Sequence, residues 1–421
     1  MSTQTKPAPE AGTTTPGAET GVREFVQDYV DRVRGGDVGA LPAILGVIVL
    51  CIVFTSLNSV FFSAGNFANL LVQGAAITVI AMGLVFVLLL GEIDLSAGFA
   101  SGVCAAVLAT LMTEQNYPWY VSTAAAVATG VAIGLLLGTI VARVGIPSFV
   151  VTLAAFLAFQ GTVLIIIGAG GNVPIRNSVI LSLANKNVAP TLGWVLWALG
   201  IAAFAGLLLV SAARRRSRGL VAPPLSVVGL RIGAVLVLSG LAVYVLNQER
   251  SRNAAVVSLR GVPIVVPVIL VLLIVLTFVL ARTAYGRHVY AVGGNAEAAR
   301  RAGINVARIR TSVFVVGSTL AAIGGIIAAS RANSVDPNAG GSNTLLYAVG
   351  AAVIGGTSLF GGKGKVRDAI LGGAVIAVID NGMGLLGYSA GVKFIVTGIV
   401  LLLAASVDAI SRRRATATGR V

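Results

Sequence analysis

Two carboxylates stand where a long apolar run ends. Glu92 and Asp94 belong to GEIDLSAG, residues 91–98, directly after ITVIAMGLVFVLLL, Ile77–Leu90. A third acid, Asp380, sits beside Asn381 inside another apolar stretch. Acids in such places can serve catalysis, carry protons, accept sugar hydroxyls, or close a helix end. A charge at membrane depth is costly and usually faces a cavity or a partner, so Asp380 reads either as a gate or ligand-contacting residue or as a bond to a neighbouring helix. Catalysis lacks accompaniment. The single histidine is His288, and the two cysteines, Cys51 and Cys104, lie in apolar segments with no metal-ligand spacing. No metal site is expected.

Nucleotide chemistry fails on spacing. A phosphate-cradling loop needs G-x-x-x-x-G-K-[ST], whose amides hold the phosphates and whose hydroxyl meets magnesium. The nearest stretch is GGTSLFGGKGK, but Thr357 stands at the required first glycine and Gly364 at the required hydroxyl. The chain is therefore expected to be no enzyme and to carry no cofactor.

The elements that position these residues are membrane helices. Of 421 residues, 57% are hydrophobic and only 11% charged, against about 25% charged in soluble domains. The net charge of +15 does not point to nucleic acid, because the arginines cluster between hydrophobic spans. A spanning helix needs about 20 mostly apolar residues. Twelve candidates lie near 41–57, 67–90, 98–113, 119–141, 149–168, 191–211, 227–246, 262–281, 311–330, 345–361, 366–386 and 392–410. With both termini inside, alternate loops carry Arg143, then Arg214, Arg215, Arg216 and Arg218, then Arg282 to Arg310, then Lys363, Lys365 and Arg367. That is the positive-inside pattern, with Arg250, Arg252 and Arg260 on the wrong side in one outer loop. Gly-rich spans can be broken or re-entrant. The 52 glycines favour closely packed backbones.

Fold class is thus all-α, a polytopic membrane bundle of about twelve spans over residues 41–410. Residues 1–21 read as a disordered cytoplasmic tail. Residues 22–36 read as an amphipathic cytoplasmic or interfacial helix, and 411–421 as a basic tail. The longest inner loop, 282–310, holds six arginines against one acid, Glu297. Asn295 is a suitable N-cap there, and Gly303 a helix stop. A two-turn helix behind the Gly293–Gly294 hinge would suit a cytoplasmic partner.

Three segments now carry a resemblance. YAVGGNAEAARRAGI (290–304) resembles the coupling-helix segment of bacterial sugar ABC-transporter permeases of the ribose/xylose branch. GEIDLSAG resembles the first signature of that branch, G-x-I-D-L-S-x-G, and residues 345–387 resemble the second. They occur in family order across residues 67 to 410. The resemblance implies a ten-helix core like that of the vitamin B12 importer, with 191–246 as a two-helix insertion. That insertion and the IDNGM stretch (379–383) point to the longer, xylose-type members. The chain departs from many relatives at Leu345-Leu346-Tyr347, where they place acidic residues.

By the same resemblance, Gly293, Gly294, Asn295, Glu297, Ala298, Ala299, Arg300 and Gly303 would contact a cytoplasmic sugar ABC ATPase, which would hold ATP and magnesium. A second permease copy would complete a homodimer, and an extracytoplasmic binding protein would deliver the sugar. The location implied is the bacterial cytoplasmic (plasma) membrane, multi-pass.

GGTSLFGG (355–362) loosely echoes GEIDLSAG, and matching interrupted segments point to a transport path. The path or gate set is therefore Glu92, Asp94, Ser96, Gly98, Gly355, Gly356, Thr357, Ser358, Asp380 and Asn381. Asp94 and Ser96 are also cap types, so a purely structural role stays open for them. Other readings stay open too: a proton-coupled secondary transporter, a membrane scaffold or exporter subunit, or an ABC permease for a nucleoside or a branched-chain amino acid.

Overall fold

The structure is a computed structural model that describes residues 39–417 apart from 169–170, 221, 252, 255 and 257. The expected tail at 1–21 and amphipathic helix at 22–36 lie outside the described residues, as does the end of the basic tail.

Helices run in chain order. α1 is Leu41–Leu57, α2 Ala64–Leu89 and α3 Ala97–Ala109, prolonged by a wider π turn, Thr110–Glu114. α4 is Trp119–Thr139, prolonged by Ile140–Val144, and α5 is Ser148–Ile167. After Val173–Pro174 (β1) come α6, Ser178–Asn185, then Asn187–Val188 (β2), α7, Pro190–Ser217, and α8, Leu225–Leu246. Val262–Pro263 (β3) leads to α9, Val265–Arg282, α10, Ala284–Gly294, α11, Ala296–Arg301, and α12, Val306–Ala332. Ser334–Val335 (β4) precedes α13, Ser342–Ile354, α14, Val366–Leu385, and α15, Ala390–Ala417. All twelve expected spans coincide with a helix. Among the described residues, nine helices are long and apolar enough to cross a membrane, and three apolar ones are shorter. The helix α15 runs through Arg412, Arg413 and Arg414, so the start of the basic tail is helical.

The chain divides into two compact units. One comprises residues 191–245, the pair α7 and α8. Within it, Trp197 Nε1 donates to Ser239 Oγ at 2.9 Å, and the Trp197 ring lies over Gly240. Leu199, Leu207, Leu230, Leu238 and Leu241 are exposed, as lipid-facing helices require.

The second unit holds the remaining helices around α2, whose second half is almost wholly buried. α12 packs against α2, α3 and α4, and α14 packs against α1, α2 and α13. In lipid, apolar side chains gain nothing by turning inward, so close backbone approach through small residues holds the helices together. Gly130, Gly134 and Gly138 make one such stripe on α4. A methyl group on Gly134 would stand 2.4 Å from Val315 Cα, and one on Gly138 2.7 Å from Thr311 Cα.

Two crossings are broken. The start of α3 lies level with the middle of α2, because Ser101 and Ile80 approach the neighbouring Gly325 and Gly324 of α12. From Ile80, α2 descends nine residues, about 13 Å, to Leu89, and residues 90–96 climb back. The thirteen residues of α13 span about 20 Å, short of a hydrocarbon layer of about 30 Å. Ahead of it the turn 336–341 lies against α3, with the Ala339 and Gly340 carbonyls over Gly102 and Gly98, while Asp336 and Asn338 stay exposed. Non-helical backbone at membrane depth is tolerated only where protein or a water-lined cavity flanks it.

Short antiparallel pairs, β1 with β4 and β2 with β3, join the outer loops. Two of the outer arginines that break the charge rule, Arg250 and Arg260, are held nearby. Glu249 pairs with Arg260 at 3.1 Å, and Arg250 Nη2 donates to the Gly261 carbonyl at 3.0 Å. Amide donation from Leu259 and Ser251 and the Ser258 hydroxyl hold the Glu249 carboxyl low, at about 2.

Gly134→Leu should lower stability by about 1–3 kcal/mol, the usual cost of overpacking. Thermal unfolding of the purified chain in detergent measures it. An unchanged melting temperature would show that α4 and α12 are not packed this closely.

Candidate functional site at the cytoplasmic end of the bundle

The inner loop folds into two helices. Asn295 caps α11, its Oδ1 accepting from the Ala298 amide at 2.9 Å, and Gly303 ends that turn with φ +83°. Glu297 is exposed and bridges Arg300 at 2.8 Å and Arg301 at 3.4 Å, one turn on. Ala299 is buried, whereas Ala298 is exposed. The preceding segment is α10, where a flexible hinge is the expectation. Gly293 and Gly294 are its last two residues and have helical, not left-handed, backbone. The two glycines differ: a methyl on Gly293 would stand 1.9 Å from the Leu89 carbonyl, and one on Gly294 meets open space. Gly293 is therefore a packing contact.

That contact brings the three sequence signatures together. The Leu89 carbonyl, at the inner end of α2, accepts from the Gly362 amide at 2.9 Å. A methyl on Gly361, where φ is +85°, would crowd the Gly91 amide, the Gly293 carbonyl and the Leu89 carbonyl together. Tyr290 of α10 donates to the Gly364 carbonyl at 2.7 Å. Burial, and next the Asp368 carboxylate, push its phenol up, keeping it a donor. The coupling segment, GEIDLSAG and GGTSLFGG thus share one small main-chain junction.

Within GEIDLSAG most polar side chains are engaged, with Asp94 Oδ2 buried and without a partner. Asp94 is buried, and its Oδ1 accepts from the Ser96 amide at 2.8 Å and hydroxyl at 2.6 Å just ahead of α3. The Ile93 amide donates to Ser148 Oγ, and its carbonyl accepts from Thr152 Oγ1, both on α5. Glu92 makes an ion pair with Arg310 of α12, 2.9 Å apart, with 12% of the acid side chain exposed. Gly98 lies under the Gly340 carbonyl.

The second segment is closed in the same way. Thr357 and Ser358 are buried; the Thr357 amide donates to the Ala352 carbonyl and the Ser358 amide to the Lys363 carbonyl. Asp368 Oδ2 receives the Lys365 amide at 2.7 Å and the Thr357 hydroxyl at 3.4 Å. Gly355 leaves room for the Asp368 carbonyl, and Gly356 turns with φ +114°.

Asp380 and Asn381 sit apart from that junction, at the other end of the bundle. The Asn381 and Asn66 side-chain amides donate to each other at 2.9 and 2.8 Å. Gln73 Nε2 donates to Asp380 Oδ2, and Lys393 Nζ lies 3.3 Å from Asp380 Oδ1. Asn381 is buried, whereas Asp380 and Lys393 keep 30% and 22% of their side chains exposed. The ten path residues thus fall into two groups on different elements.

A family model described as a branched-chain amino acid transport system permease component matches residues 66–405. The chain is 37% identical to the Escherichia coli (strain K12) xylose transport system permease protein XylH, over 88% of this chain and 92% of that one. It is 34% identical to XylH of Haemophilus influenzae, over 87% and 95%. With the ribose import permease protein RbsC of Escherichia coli (strain K12) it shares 29%, over 87% and 92%. The chain belongs to this permease family. No solved structure matches it.

The permease is a multi-pass membrane transport subunit, not an enzyme. Several of its contacts lie outside the residues that sequence reasoning singles out. Asn66 and Gln73 are polar residues seven apart on an apolar helix, and Lys393 is a lone cation opening another. Those spacings place each toward one face. Nothing in the sequence tells which of six loop arginines meets Glu92.

The Glu92–Arg310 pair should show a coupling of about 1 kcal/mol in a double-mutant cycle of Glu92→Gln and Arg310→Gln. Melting temperatures of the four proteins in detergent measure it. Additive losses would show that the pair contributes nothing.

Proposed function

We propose that the permease is the membrane-spanning subunit of an ATP-binding-cassette importer for a monosaccharide, a pentose such as xylose, in a bacterial cytoplasmic membrane. The observation that carries this reading is the junction at Leu89. It ties the exposed α11 helix through Gly293 to the inner ends of α2 and of the 355–365 turn. The names of the relatives, a xylose transport system permease and a ribose import permease, supply the substrate class.

ATP and magnesium belong on a separate cytoplasmic ATPase, docked on Asn295, Glu297, Ala298, Arg300 and Gly303, with Ala299 holding α11 to the bundle. Movement of α10 and α11 then acts on the Leu89–Gly362 contact directly, without a flexible link. Asp94, Ser96, Thr357 and Ser358 keep the inner end sealed in this conformation, and Glu92 anchors the seal to α12. Gly98, Gly355 and Gly356 admit the close backbone approaches on which the seal depends. Asp380 and Lys393 are the half-exposed polar groups that meet a sugar hydroxyl at the opposite end, with Asn381 fixing their helices. A second copy of the permease completes the path, and an extracytoplasmic binding protein delivers the sugar.

The test is uptake of labelled xylose by proteoliposomes holding the permease, its ATPase and its binding protein. Transport should require ATP, and a pH gradient alone should give none. Uptake driven by the pH gradient without the ATPase would overturn the reading in favour of a secondary transporter. Glu297→Ala should cut uptake at least about tenfold while membrane insertion is kept, the loss of about 1.4 kcal/mol of coupling. Gly294→Ala, whose methyl enters open space, should do the same only through the partner's contact. Full uptake in both variants would remove the coupling assignment.

Asp380→Asn keeps the shape and removes the charge that Lys393 faces. It should lower xylose uptake several-fold, with ATPase stimulation by the loaded binding protein retained. Unchanged uptake would assign Asp380 to helix packing alone.

A further inference from the structure

A groove of about 500 Å³ opens between the inner ends of α4, α10 and α12. Its charged rim is Arg143, on the π turn that prolongs α4, and Arg308, in the first turn of α12. Both arginines are exposed, and neither is paired with a carboxylate among the described residues. The acids of this face are occupied elsewhere: Glu92 by Arg310, and Glu297 by Arg300 and Arg301. Tyr285 also lines the groove, its hydroxyl 3.0 Å from Ser312 Oγ, which itself donates to the Ile309 carbonyl at 2.8 Å.

Below the rim the lining turns apolar, with Leu135 on α4 and Val315 and Val316 on α12. Leu135 precedes Arg143 by eight residues, and Val316 follows Arg308 by eight. Eight helical residues rise about 12 Å, so the groove runs from the charged boundary into the depth of the hydrocarbon. An ATPase docked on the cytoplasmic face would reach the rim and not this floor. A phospholipid offers both parts: an anionic headgroup for the arginines and acyl carbons for the leucine and valines.

We propose that this groove is a binding site for a phospholipid with an anionic headgroup, held by Arg143 and Arg308. Basic pockets between membrane helices on the cytoplasmic side suit such headgroups, and the inner leaflet supplies them. The lipid would brace α4, α10 and α12 together at the foot of α10, the helix that carries the junction with Leu89. Its occupancy bears on the coupling segment without contacting α11.

The test is native mass spectrometry of the full chain in detergent with equal phosphatidylglycerol and phosphatidylethanolamine. The chain should retain the anionic lipid preferentially. Arg143→Gln with Arg308→Gln should reduce the preference about fivefold for each arginine removed, about twenty-five-fold for both. Lysine at both positions should restore most of it. Equal retention of the two lipids, or an unchanged preference in the double variant, would overturn the proposal. So would loss of the bound lipid to millimolar inorganic phosphate, which would make the rim a simple anion site. A double variant that keeps lipid preference but loses ATPase binding would assign the groove to the partner and overturn it as well. If the double variant does not fold, a photoreactive phosphatidylglycerol on the unmodified chain decides. Crosslinks should map to residues 135–143 and 307–316, and labelling spread evenly over lipid-facing helices would count against the site.

Discussion

One main-chain carbonyl organises the cytoplasmic end of this permease. Leu89 closes the central helix, and its oxygen is received by the Gly362 amide and roofed by Gly293. Three segments far apart in sequence meet there only because each brings a glycine. A side chain on Gly293 would collide with the carbonyl, and Gly361 and Gly362 adopt the left-handed backbone that side chains resist. The absence of side chains thus specifies the site. A displacement of the α10–α11 segment cannot be absorbed by flexible groups at that point, since backbone faces backbone.

The same constraint explains the rest of the bundle. Helices that cannot rely on the hydrophobic effect in lipid use close approach instead, and glycine is the residue that permits it. The stripe Gly130, Gly134, Gly138 seats α12 on α4, and Gly98 and Gly102 seat the 336–341 turn on α3. The second case is irregular backbone rather than helix, and Asp336 fixes its shape by accepting the Asn338 amide at 2.7 Å, with both side chains exposed.

Much of this was legible in the sequence. Hydropathy placed all twelve apolar helices, and the arginine distribution set their direction. Asn295 and Gly303 marked α11 by cap chemistry alone, and both perform as their types predict. Three things were not legible. The length of α10 was hidden because Gly293 and Gly294 read as a hinge, whereas the role of Gly293 depends on a carbonyl two hundred residues earlier. The β1–β4 and β2–β3 pairs are two residues each, too short for any alternation to register. The partner of Glu92 was one arginine among several, and only packing selects Arg310. Local chemistry is written locally; contacts between distant segments are not.

The acids of this chain are sorted by what surrounds them. Asp94 spends one oxygen on its own Ser96 and lies fully buried, Glu92 is matched to Arg310, and Asp368 accepts its own helix start. Asp94 and Asp368 each take two donors on one oxygen at a chain break, although Asp94 Oδ2 is left buried without a partner. Asp380 differs. It shares its charge with Lys393 and an amide of Gln73, and it stays half-exposed beside a buried Asn66–Asn381 pair. A neutral polyhydroxy solute needs donors and acceptors side by side with no net field to oppose it, and a paired acid and base supply that. On the function proposed above, Asp380 is the path residue whose surroundings suit a ligand, and the inner group would form the closed door.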